Sequence, residues 1–311
     1  MHERPTVGLA LGSGSARGWA HIGVIRVLQR EGIPIDLVSG ASIGAVVGAA
    51  LAADSLDTLE SWVRELVWAD LLRFVDITLP RSGLIEGAKV IDFFREHFLD
   101  QTIEDLPVPL TIVAADLNSG EEIWLSEGPV LEAVRASIAI PGIFTPVLRE
   151  GHWLVDGGLV NPVPVSVCRA MGADIIIAVN LNTGMVGRSK HSRKGRRDSG
   201  RKRRRGRTKL SGKIATHLNH TWHHGKSVVF EKFGLDQKGR GPSLFEVLVA
   251  SIHIMQDSIT RHRLASDPPD ILISPSVAQI GLLEFNRAEE AIEAGSKAAE
   301  YSLPLLQEAF S

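Results

Sequence analysis

Residues 39–49 read SGASIGAVVGA, a serine among small residues with a short apolar run on either side. Ser42 lies two residues after Gly40 and two before Gly44, which fits the pattern G-x-S-x-G. That spacing is typical of a nucleophile on a sharp turn between a strand and a helix, where glycines let neighbouring segments approach closely. It also arises by chance in a chain rich in Gly and Ser, so the rest of the sequence has to decide whether Ser42 is a nucleophile.

Strands and helices are predicted to alternate around this serine. The apolar run at 35–38 predicts a strand, and IGAVVGAALAA at 43–53 predicts the helix that follows it. The run TVGLAL at 6–11 predicts an earlier strand, which leads through a glycine-rich turn into a helix over 19–32. This alternation is the pattern of a parallel sheet covered by helices, so the sequence predicts an α/β fold.

The remaining elements extend the pattern, with one long interruption. Helices are predicted at 55–68, 87–98, 128–137, 163–171, 243–264 and 287–310, and strands at 109–116, 121–125, 152–155, 174–181 and 268–275. Residues 183–242 have little apolar periodicity and many Gly, Ser and basic residues, which indicates a solvated insertion. We therefore predict a core at 1–182, a basic insertion at 183–242, and C-terminal elements at 243–311 that pack on the same core.

The composition is that of an ordinary soluble globular protein, with 44% apolar and 23% charged residues in a chain of 311. Cys168 is the single cysteine, so no intrachain disulfide forms and a reducing compartment fits. We predict Cys168 as a small buried residue. No signal-peptide pattern opens the sequence, and no run approaches the roughly 18 apolar residues of a membrane span. These features predict a cytoplasmic protein whose contact with lipid is peripheral.

The glycine-rich turn LGSGSARG at 11–18 predicts an anion site, because free backbone N–H groups at the start of a helix point at whatever lies there. The anion is either a nucleotide phosphate or the oxyanion of an acyl-transfer intermediate. Gly12, Gly14 and Gly18 are spaced one residue too widely for G-x-G-x-x-G, and the Gly-Lys-Ser/Thr of a phosphate-binding loop is absent. The spacing therefore favours the oxyanion.

A hydroxyl nucleophile needs a general base within hydrogen-bond reach. The motif VDGG at 155–158 places Asp156 at the end of a predicted strand, although Asp-Gly is also common in simple turns. Outside the insertion, the histidines that follow Asp156 are His253 and His262, both in a predicted helix. Spacing alone leaves open a pairing of serine with aspartate and a triad that includes a histidine.

Three motifs in this order resemble the patatin-like phospholipase family: Arg17-Gly18, then GASIG at 40–44, then DGG at 156–158. The resemblance is closest to the bacterial RssA-type branch and to the catalytic domain of neuropathy target esterase. It covers residues 6–182, including ASIAIPG at 136–142 and NPVPV at 161–165, and the C-terminal segment from DPPDILISP onward.

The resemblance implies a three-layer α/β/α fold with a mostly parallel central sheet, and a serine lipid acyl hydrolase acting on carboxylic esters of lipids without metal or cofactor. It implies a catalytic dyad in which Ser42 is the nucleophile and Asp156 the base, rather than a triad. The resemblance implies that the oxyanion hole comes from the turn residues Gly12, Gly14, Ser15, Arg17 and Gly18. It also implies that Gly40 and Gly44 form the nucleophile elbow, and that Gly157 and Gly158 complete the aspartate motif.

One departure from the family pattern affects the oxyanion turn. The family sequence G-G-G-x-R-G reads here as SGSARG at 13–18, with serine at Ser13 and Ser15. Serine keeps the backbone N–H but adopts a positive φ less readily than glycine. An alternative function is therefore a regulatory or lipid-binding module that keeps the fold and turns over weakly.

The run at 188–209 carries 13 Lys and Arg and one Asp, a net charge of +12, which leaves −14 on the rest of the chain. We interpret the run first as a solvated linker and second as a contact for anionic membrane that would bring the active-site face to the bilayer. Nucleic acid is disfavoured because no aromatic residue lies within the run. Nearby histidines are interpreted as a polar loop rather than a metal site: His217, His220, His223 and His224.

Overall fold

The computed structural model describes residues 4–67, 95, 101–183 and 244–310. The predicted helix at 87–98, except Arg95, lies outside these residues. The predicted insertion at 183–242, except Thr183, also lies outside them, and with it the basic run and its neighbouring histidines.

The described residues form one sheet of eight strands. In chain order the strands are β1 (Val7–Leu11), β2 (Leu37–Ala41), β3 (Leu110–Asp116), β4 (Glu122–Leu125), β5 (Val147–Arg149), β6 (His152–Asp156), β7 (Ile175–Val179) and β8 (Ile271–Ile273). Five of them run parallel in the order β3-β2-β1-β7-β8, with β8 at the edge of the sheet. Every residue of β1, β2 and β3 is buried, as expected for strands covered on both faces.

Antiparallel strands extend the sheet beside β3. The strand β2 pairs with β3 as far as Val113, and β6 pairs with it from Ala114 onward. Over Ile112–Ala115 the other edge of β3 is paired with β4. The strand β6 therefore pairs with the same edge of β3 as β2, beyond the point where β2 ends. The carboxyl ends of β2 and β6 therefore meet beside the middle of β3, and β5 pairs with the outer edge of β6.

Helices cover both faces of the sheet. In chain order they are α1 (Ala20–Arg30), α2 (Ile43–Ala52), α3 (Leu56–Glu65), α4 (Val130–Ser137), α5 (Val165–Ala170), α6 (Leu244–Ser266) and α7 (Ala288–Ala309). Successive residues of β1 face opposite cores: Leu9 packs in the large core with α1 to α4 and α7, whereas Ala10 packs in a smaller one with α5. The fold is a three-layer α/β/α arrangement with a mostly parallel sheet, as predicted.

The elements after residue 243 pack in the same large core as β1. Ile273 and Ile292 are buried there beside residues of α1. Gly23 and Gly295 let α1 and α7 touch closely: a Cβ on Gly23 would lie 2.0 Å from the carbonyl oxygen of Ile292, and one on Gly295 would lie 1.9 Å from that of Ala20. A side chain at either position would force the two helices apart.

Most predicted elements agree with the structure to within a few residues, and two differences stand out. The strand before Ser42 lies at Leu37–Ala41 rather than 35–38, because Gly40 and Ala41 have weak strand propensity yet pair with β3. The short strand β5 was not predicted. Cys168 is buried as predicted, with its sulfur 3.0 Å from the Ser39 hydroxyl. Within the described part of the chain, no helix is both long and apolar enough to cross a bilayer.

Candidate active site

Ser42 lies between β2 and α2 with φ 57° and ψ −124°, a backbone conformation that residues other than glycine rarely adopt. The glycines beside it are needed for close packing. A Cβ on Gly40 would lie 2.6 Å from the Gly44 carbonyl oxygen, and a Cβ on Gly44 would lie 2.1 Å from the Leu11 carbonyl oxygen. Tight surroundings of this kind hold a strained residue in place. The motif G-x-S-x-G therefore forms a strand-turn-helix elbow in this chain.

The elbow packs directly against the glycine-rich turn at 12–18. A Cβ on Gly18 would lie 2.1 Å from Ile43, the residue that follows Ser42. A Cβ on Gly44 would also lie 2.8 Å from the Gly12 carbonyl oxygen. The two turns therefore interlock through glycines, and the position of one constrains the position of the other.

Asp156, at the carboxyl end of β6, accepts a hydrogen bond from Ser42. The distance from Ser42 Oγ to Asp156 Oδ2 is 2.5 Å. The strand register explains how residues 114 positions apart come together: Ala41 lies opposite Val113 and Asp156 opposite Ala114, on neighbouring positions of β3. Strand pairing thus brings the serine and the carboxylate into contact.

The carboxyl group of Asp156 is almost fully buried, with 1% of the residue exposed. Its second oxygen, Oδ1, accepts a hydrogen bond of 2.8 Å from the Gly158 N–H. Burial disfavours the charged form and raises the pKa of Asp156 to about 7, while the hydrogen bonds from Ser42 and Gly158 act in the opposite direction. A carboxylate with this pKa is much more basic than an exposed one and suits a general base at neutral pH.

Ser137, at the end of α4, holds the backbone of Ser42. The Ser42 N–H donates to Ser137 Oγ at 2.8 Å, and the Ser137 hydroxyl donates to the Val113 carbonyl at 2.6 Å. These bonds tie the elbow to β3. In the sequence, Ser137 lies within ASIAIPG at 136–142, and no side-chain motif there indicates this role.

The glycine-rich turn leaves two backbone donors free. The N–H groups of Ser13 and Ala16 donate to the carbonyls of Pro162 and Leu282, at 2.8 and 3.2 Å. Those of Gly14 and Ser15 have no partner among the described residues, and both residues line the cavity beside Ser42. These two N–H groups are the donors that an oxyanion at Ser42 would meet.

Ser15 itself adopts φ 52°, so serine occupies a conformation normally favoured by glycine at this position. Its hydroxyl donates to the Leu282 carbonyl at 2.7 Å. This bond to the C-terminal segment stabilises the turn.

Arg17 and His21 make hydrogen bonds to backbone carbonyls that hold the turn in place. Arg17 is buried and its Nε donates to the Ile280 carbonyl at 3.0 Å; burial lowers the pKa of Arg17 to about 10. His21 is fully buried with Nε2 2.7 Å from the Gly12 carbonyl oxygen, and burial lowers the pKa of His21 to about 4, so the ring is neutral at pH 7. Nε2 is then the donor. Of the predicted oxyanion residues, Gly14 and Ser15 line the cavity, whereas Gly12, Arg17 and Gly18 shape the turn around it.

A small cavity of about 20 Å³ lies over Ser42 and Asp156. One wall is the turn at 13–15, and the opposite wall is the middle of α6. The other residues that line the cavity are Ile140, Pro141, Leu159, Val249, Ile252, His253, Gln256 and Leu282. Most of this lining is apolar, which suits the hydrocarbon part of a substrate.

The two histidines of α6 differ in position. His253 lines the cavity, and burial lowers the pKa of His253 to about 4, an effect that the positive charge of Arg17 reinforces. His262 is exposed and its Nδ1 contacts the Ser258 carbonyl of its own helix. Across the described ranges, the Ser42 hydroxyl has Asp156 as its hydrogen-bond acceptor and neither histidine as a partner. No group of three His, Cys, Asp or Glu residues in those ranges is placed to hold a metal ion.

The patatin-like phospholipase family matches residues 9–169, a segment that contains both turns and Asp156. The chain belongs to this family. Patatin-like phospholipases are lipid ester hydrolases as a class, and membership places the chain in that class. The three-layer fold described above is the patatin fold.

Relatives extend the family match over nearly the whole chain. The NTE family protein Rv1063c of Mycobacterium tuberculosis (strain ATCC 25618 / H37Rv) is 34% identical over 329 residues, covering 96% of this chain and 91% of that protein. Patatin-like phospholipase domain-containing protein 6 of Homo sapiens is 35% identical over 185 residues, covering 57% of this chain and 13% of that protein. Among solved structures, VipD from Legionella pneumophila aligns with a TM-score of 0.46 and 13% identity over 98% of this chain and 67% of that chain, a similarity too weak to bear on function.

Proposed function

We propose that this protein hydrolyses acyl esters of lipids with a catalytic dyad formed by Ser42 and Asp156. The observation that carries the proposal is the 2.5 Å hydrogen bond from the Ser42 hydroxyl to a buried carboxylate. A serine hydroxyl becomes a nucleophile when a base takes its proton as it attacks. Asp156 is placed to do so, and its raised pKa makes it basic enough at neutral pH.

In the first half of the reaction, Ser42 Oγ attacks the ester carbonyl carbon and its proton passes to Asp156. The carbonyl oxygen becomes an oxyanion, which the free N–H groups of Gly14 and Ser15 stabilise. The intermediate collapses, the bond to the alcohol breaks, and the leaving alkoxide takes the proton from Asp156. The products of this half are an acyl-serine and a free alcohol.

In the second half, water attacks the acyl carbonyl while Asp156 accepts one of its protons. Collapse of the second intermediate releases a carboxylic acid and returns the proton to Ser42. Every proton in the cycle is carried by Asp156, so the proposed chemistry needs no metal or organic cofactor.

The lining of the cavity supports a lipid substrate. Ile140, Val249 and Ile252 contribute apolar surface next to Ser42. A cavity of about 20 Å³ holds a water-sized group, so binding of an acyl chain requires the cavity to widen. We include in the proposal a cytoplasmic location and contact with anionic membrane through the basic run at 188–209.

A lipid-binding module of low turnover is the second candidate, motivated by the serines of the oxyanion turn. Ser15 adopts the positive φ that the turn requires, and its N–H stays free, which favours a working oxyanion hole. The enzyme is therefore the function that we prefer.

A fluorophosphonate probe and a panel of p-nitrophenyl esters and lysophospholipids test the proposal. We expect the probe to label the wild type and not Ser42→Ala, and the wild type to release fatty acid from at least one ester. Absence of labelling and of turnover in the wild type would leave the binding module. A substantially active Asp156→Asn variant would overturn the dyad and return His253 to consideration as the base.

A further inference from the structure

Gln256 is a buried amide on the wall of α6 that faces Ser42 and Asp156. It lines the catalytic cavity and is 7% exposed. Its side chain has no hydrogen-bond partner in the described part of the chain. An amide that lines a cavity and has no partner in the protein keeps its donor and acceptor available to a polar ligand.

The amide of Gln256 lies close to the catalytic carboxylate. A Cβ on Gly158 would lie 2.5 Å from Gln256 Nε2 and 2.9 Å from Asp156 Oδ1. Both atoms are therefore within 3 Å of one point, and their separation cannot exceed the sum of those two distances. Each hydrogen bond of a bridging water spans roughly 2.8 Å, so a single water molecule reaches both atoms. Because residue 158 is glycine, the Gln256 amide can lie against its backbone, where a Cβ would collide with Nε2.

The size of the cavity fits the same ligand. Its volume of about 20 Å³ suits one water molecule, which needs at least roughly 10–15 Å³ and two or more polar partners. Asp156 supplies an acceptor and Gln256 a donor. His253 lines the same cavity, but among the described residues the carboxylate has its hydrogen bonds with Ser42 and Gly158 and none with His253.

We propose that Gln256 is a positioning residue that, together with Asp156, holds the water molecule which hydrolyses the acyl-enzyme. This inference rests on the proposed function. Gln256 Nε2 donates a hydrogen bond to the water oxygen, and the water donates one hydrogen to the Asp156 carboxylate.

The step is an ordinary hydrolysis in which all atoms are accounted for. The water oxygen bonds to the acyl carbon as one water proton moves to Asp156. The bond from the acyl carbon to Ser42 Oγ then breaks, and the proton on Asp156 moves to that oxygen. The products are a carboxylic acid and free Ser42. Gln256 gains and loses no proton, so it affects only where the water lies.

Water enters the reaction only after the acyl-serine has formed, so loss of Gln256 has a distinctive kinetic effect. In Gln256→Met, which keeps the length of the side chain, we expect the burst of p-nitrophenol from a p-nitrophenyl ester to keep its rate and amplitude. The steady-state rate that follows should fall by about 10- to 100-fold, the cost of a misplaced reactant. Intact-mass spectrometry should show acyl-Ser42 accumulating during turnover.

Gln279→Met is the matched control, because Gln279 is an amide outside the cavity that donates to the Ser276 carbonyl and to Glu290. It should show wild-type burst and steady-state rates. Gln256→Asn keeps the amide on a shorter chain and should slow deacylation less than Gln256→Met. It also serves as the test if Gln256→Met does not fold.

The experiments distinguish failure of this inference from failure of the proposed function. A wild type that never forms acyl-Ser42 overturns the proposed function and this inference with it. A wild type that forms and hydrolyses acyl-Ser42, while Gln256→Met and Gln256→Asn hydrolyse it equally fast, overturns the inference alone. Equal slowing of the burst and of the steady state also overturns it, because a general structural defect affects both steps.

Discussion

Two serines of this protein share a positive φ and differ in what their hydroxyls contact. Ser15 and Ser42 follow the neighbouring parallel strands β1 and β2, lie at the start of helical segments, and have φ values of 52° and 57°. The Ser15 hydroxyl donates to the Leu282 carbonyl at 2.7 Å, whereas the Ser42 hydroxyl donates to Asp156 at 2.5 Å. A carbonyl cannot take the proton, whereas a buried carboxylate of raised pKa can. The partner of the hydroxyl, more than the turn that carries it, distinguishes the two positions.

The difference between the serines comes from the strands and loops beside them. Next to Ser42, the antiparallel strand β6 pairs with β3 and places Asp156 beside the serine. Next to Ser15, the segment around Leu282 supplies backbone carbonyls. We expect the following variants to test this contrast.

The largest effect is expected for Ser42→Ala against Ser15→Ala. Ser42→Ala removes the proposed nucleophile, so turnover of a p-nitrophenyl ester should fall by about 10⁴-fold or more. Ser15→Ala removes one hydrogen bond to Leu282, worth about 1 kcal/mol of stability, and keeps the backbone N–H at the cavity. It should retain most of the turnover. Comparable losses in both variants would contradict the distinction between the two serines.

Asp156→Asn should lower turnover by about 10²- to 10⁴-fold, because the amide cannot accept the serine proton. Esterase rates and labelling by a fluorophosphonate measure the loss. Asp116→Asn is the matched control: Asp116 is also a buried carboxyl on the sheet, and it accepts hydrogen bonds from the backbone of Asn118 and Ser119 away from Ser42. If both substitutions reduce turnover equally, the role assigned to Asp156 is wrong.

The packing of the elbow predicts an effect on stability. In Gly44→Ala the new methyl group would lie 2.1 Å from the Leu11 carbonyl oxygen, so the free energy of unfolding should fall by about 3 kcal/mol. Gly48→Ala is its control on the same helix, since its methyl group would lie 3.1 Å from a Val38 side-chain carbon and alanine favours the helix. Urea unfolding measures both. Equal stabilities would show that the elbow tolerates a side chain at residue 44.

The raised pKa of Asp156 predicts how activity depends on pH. With a pKa of about 7, the ionised base is lost as pH falls, so kcat/KM should rise through pH 7 and drop about tenfold per pH unit well below it. A profile that is flat between pH 5 and pH 8, roughly the range that spans this pKa, would contradict the assignment of Asp156 as the base.

The same pKa predicts how stability depends on pH. The folded state binds the Asp156 proton more tightly than the unfolded chain, where the pKa is about 3.9. The contribution of Asp156 to stability is therefore fully present below about pH 4 and is lost as pH rises to about 7. Asp156→Asn removes this loss of stability. Thermal melting should therefore show that the stability of the variant, relative to that of the wild type, increases from pH 5 to pH 8.

The smallest effect is expected for Ser15→Gly. Glycine relieves the positive φ of Ser15 and also removes its hydrogen bond to Leu282. Each change is worth about 1 kcal/mol in opposite directions, so thermal stability should stay within about 1 kcal/mol of the wild type. A large gain in turnover would show that serine impairs the oxyanion turn.

Local patterns in the sequence were sufficient to predict most of the strands and helices, since apolar periodicity and glycine turns are properties of short segments. The strand β5 was missed because its three residues, Val147–Arg149, carry no periodicity. Three motifs in order led to Ser42 and Asp156, whose contact depends on a strand register that no local pattern contains.

The supporting residues of the site were beyond local reasoning. Gln256 belongs to no motif in the sequence, and its closeness to Gly158 is a contact between distant segments. His21 and Ser137 act through backbone carbonyls and amides, which side-chain motifs do not reveal. Positions of this kind become visible only once the chain is folded.

The dependence of the oxyanion turn on the C-terminal segment has a consequence for biosynthesis. Ala16 and Arg17 are held by the carbonyls of Leu282 and Ile280, and Trp19 by that of Phe285. A ribosome synthesises Ser42 and Asp156 long before these partners, so a nascent chain holds the proposed nucleophile and base without the bonds that hold the turn. The protein should therefore become an efficient hydrolase only after the segment around Leu282 has been synthesised, which would keep shorter nascent chains from attacking cellular lipid.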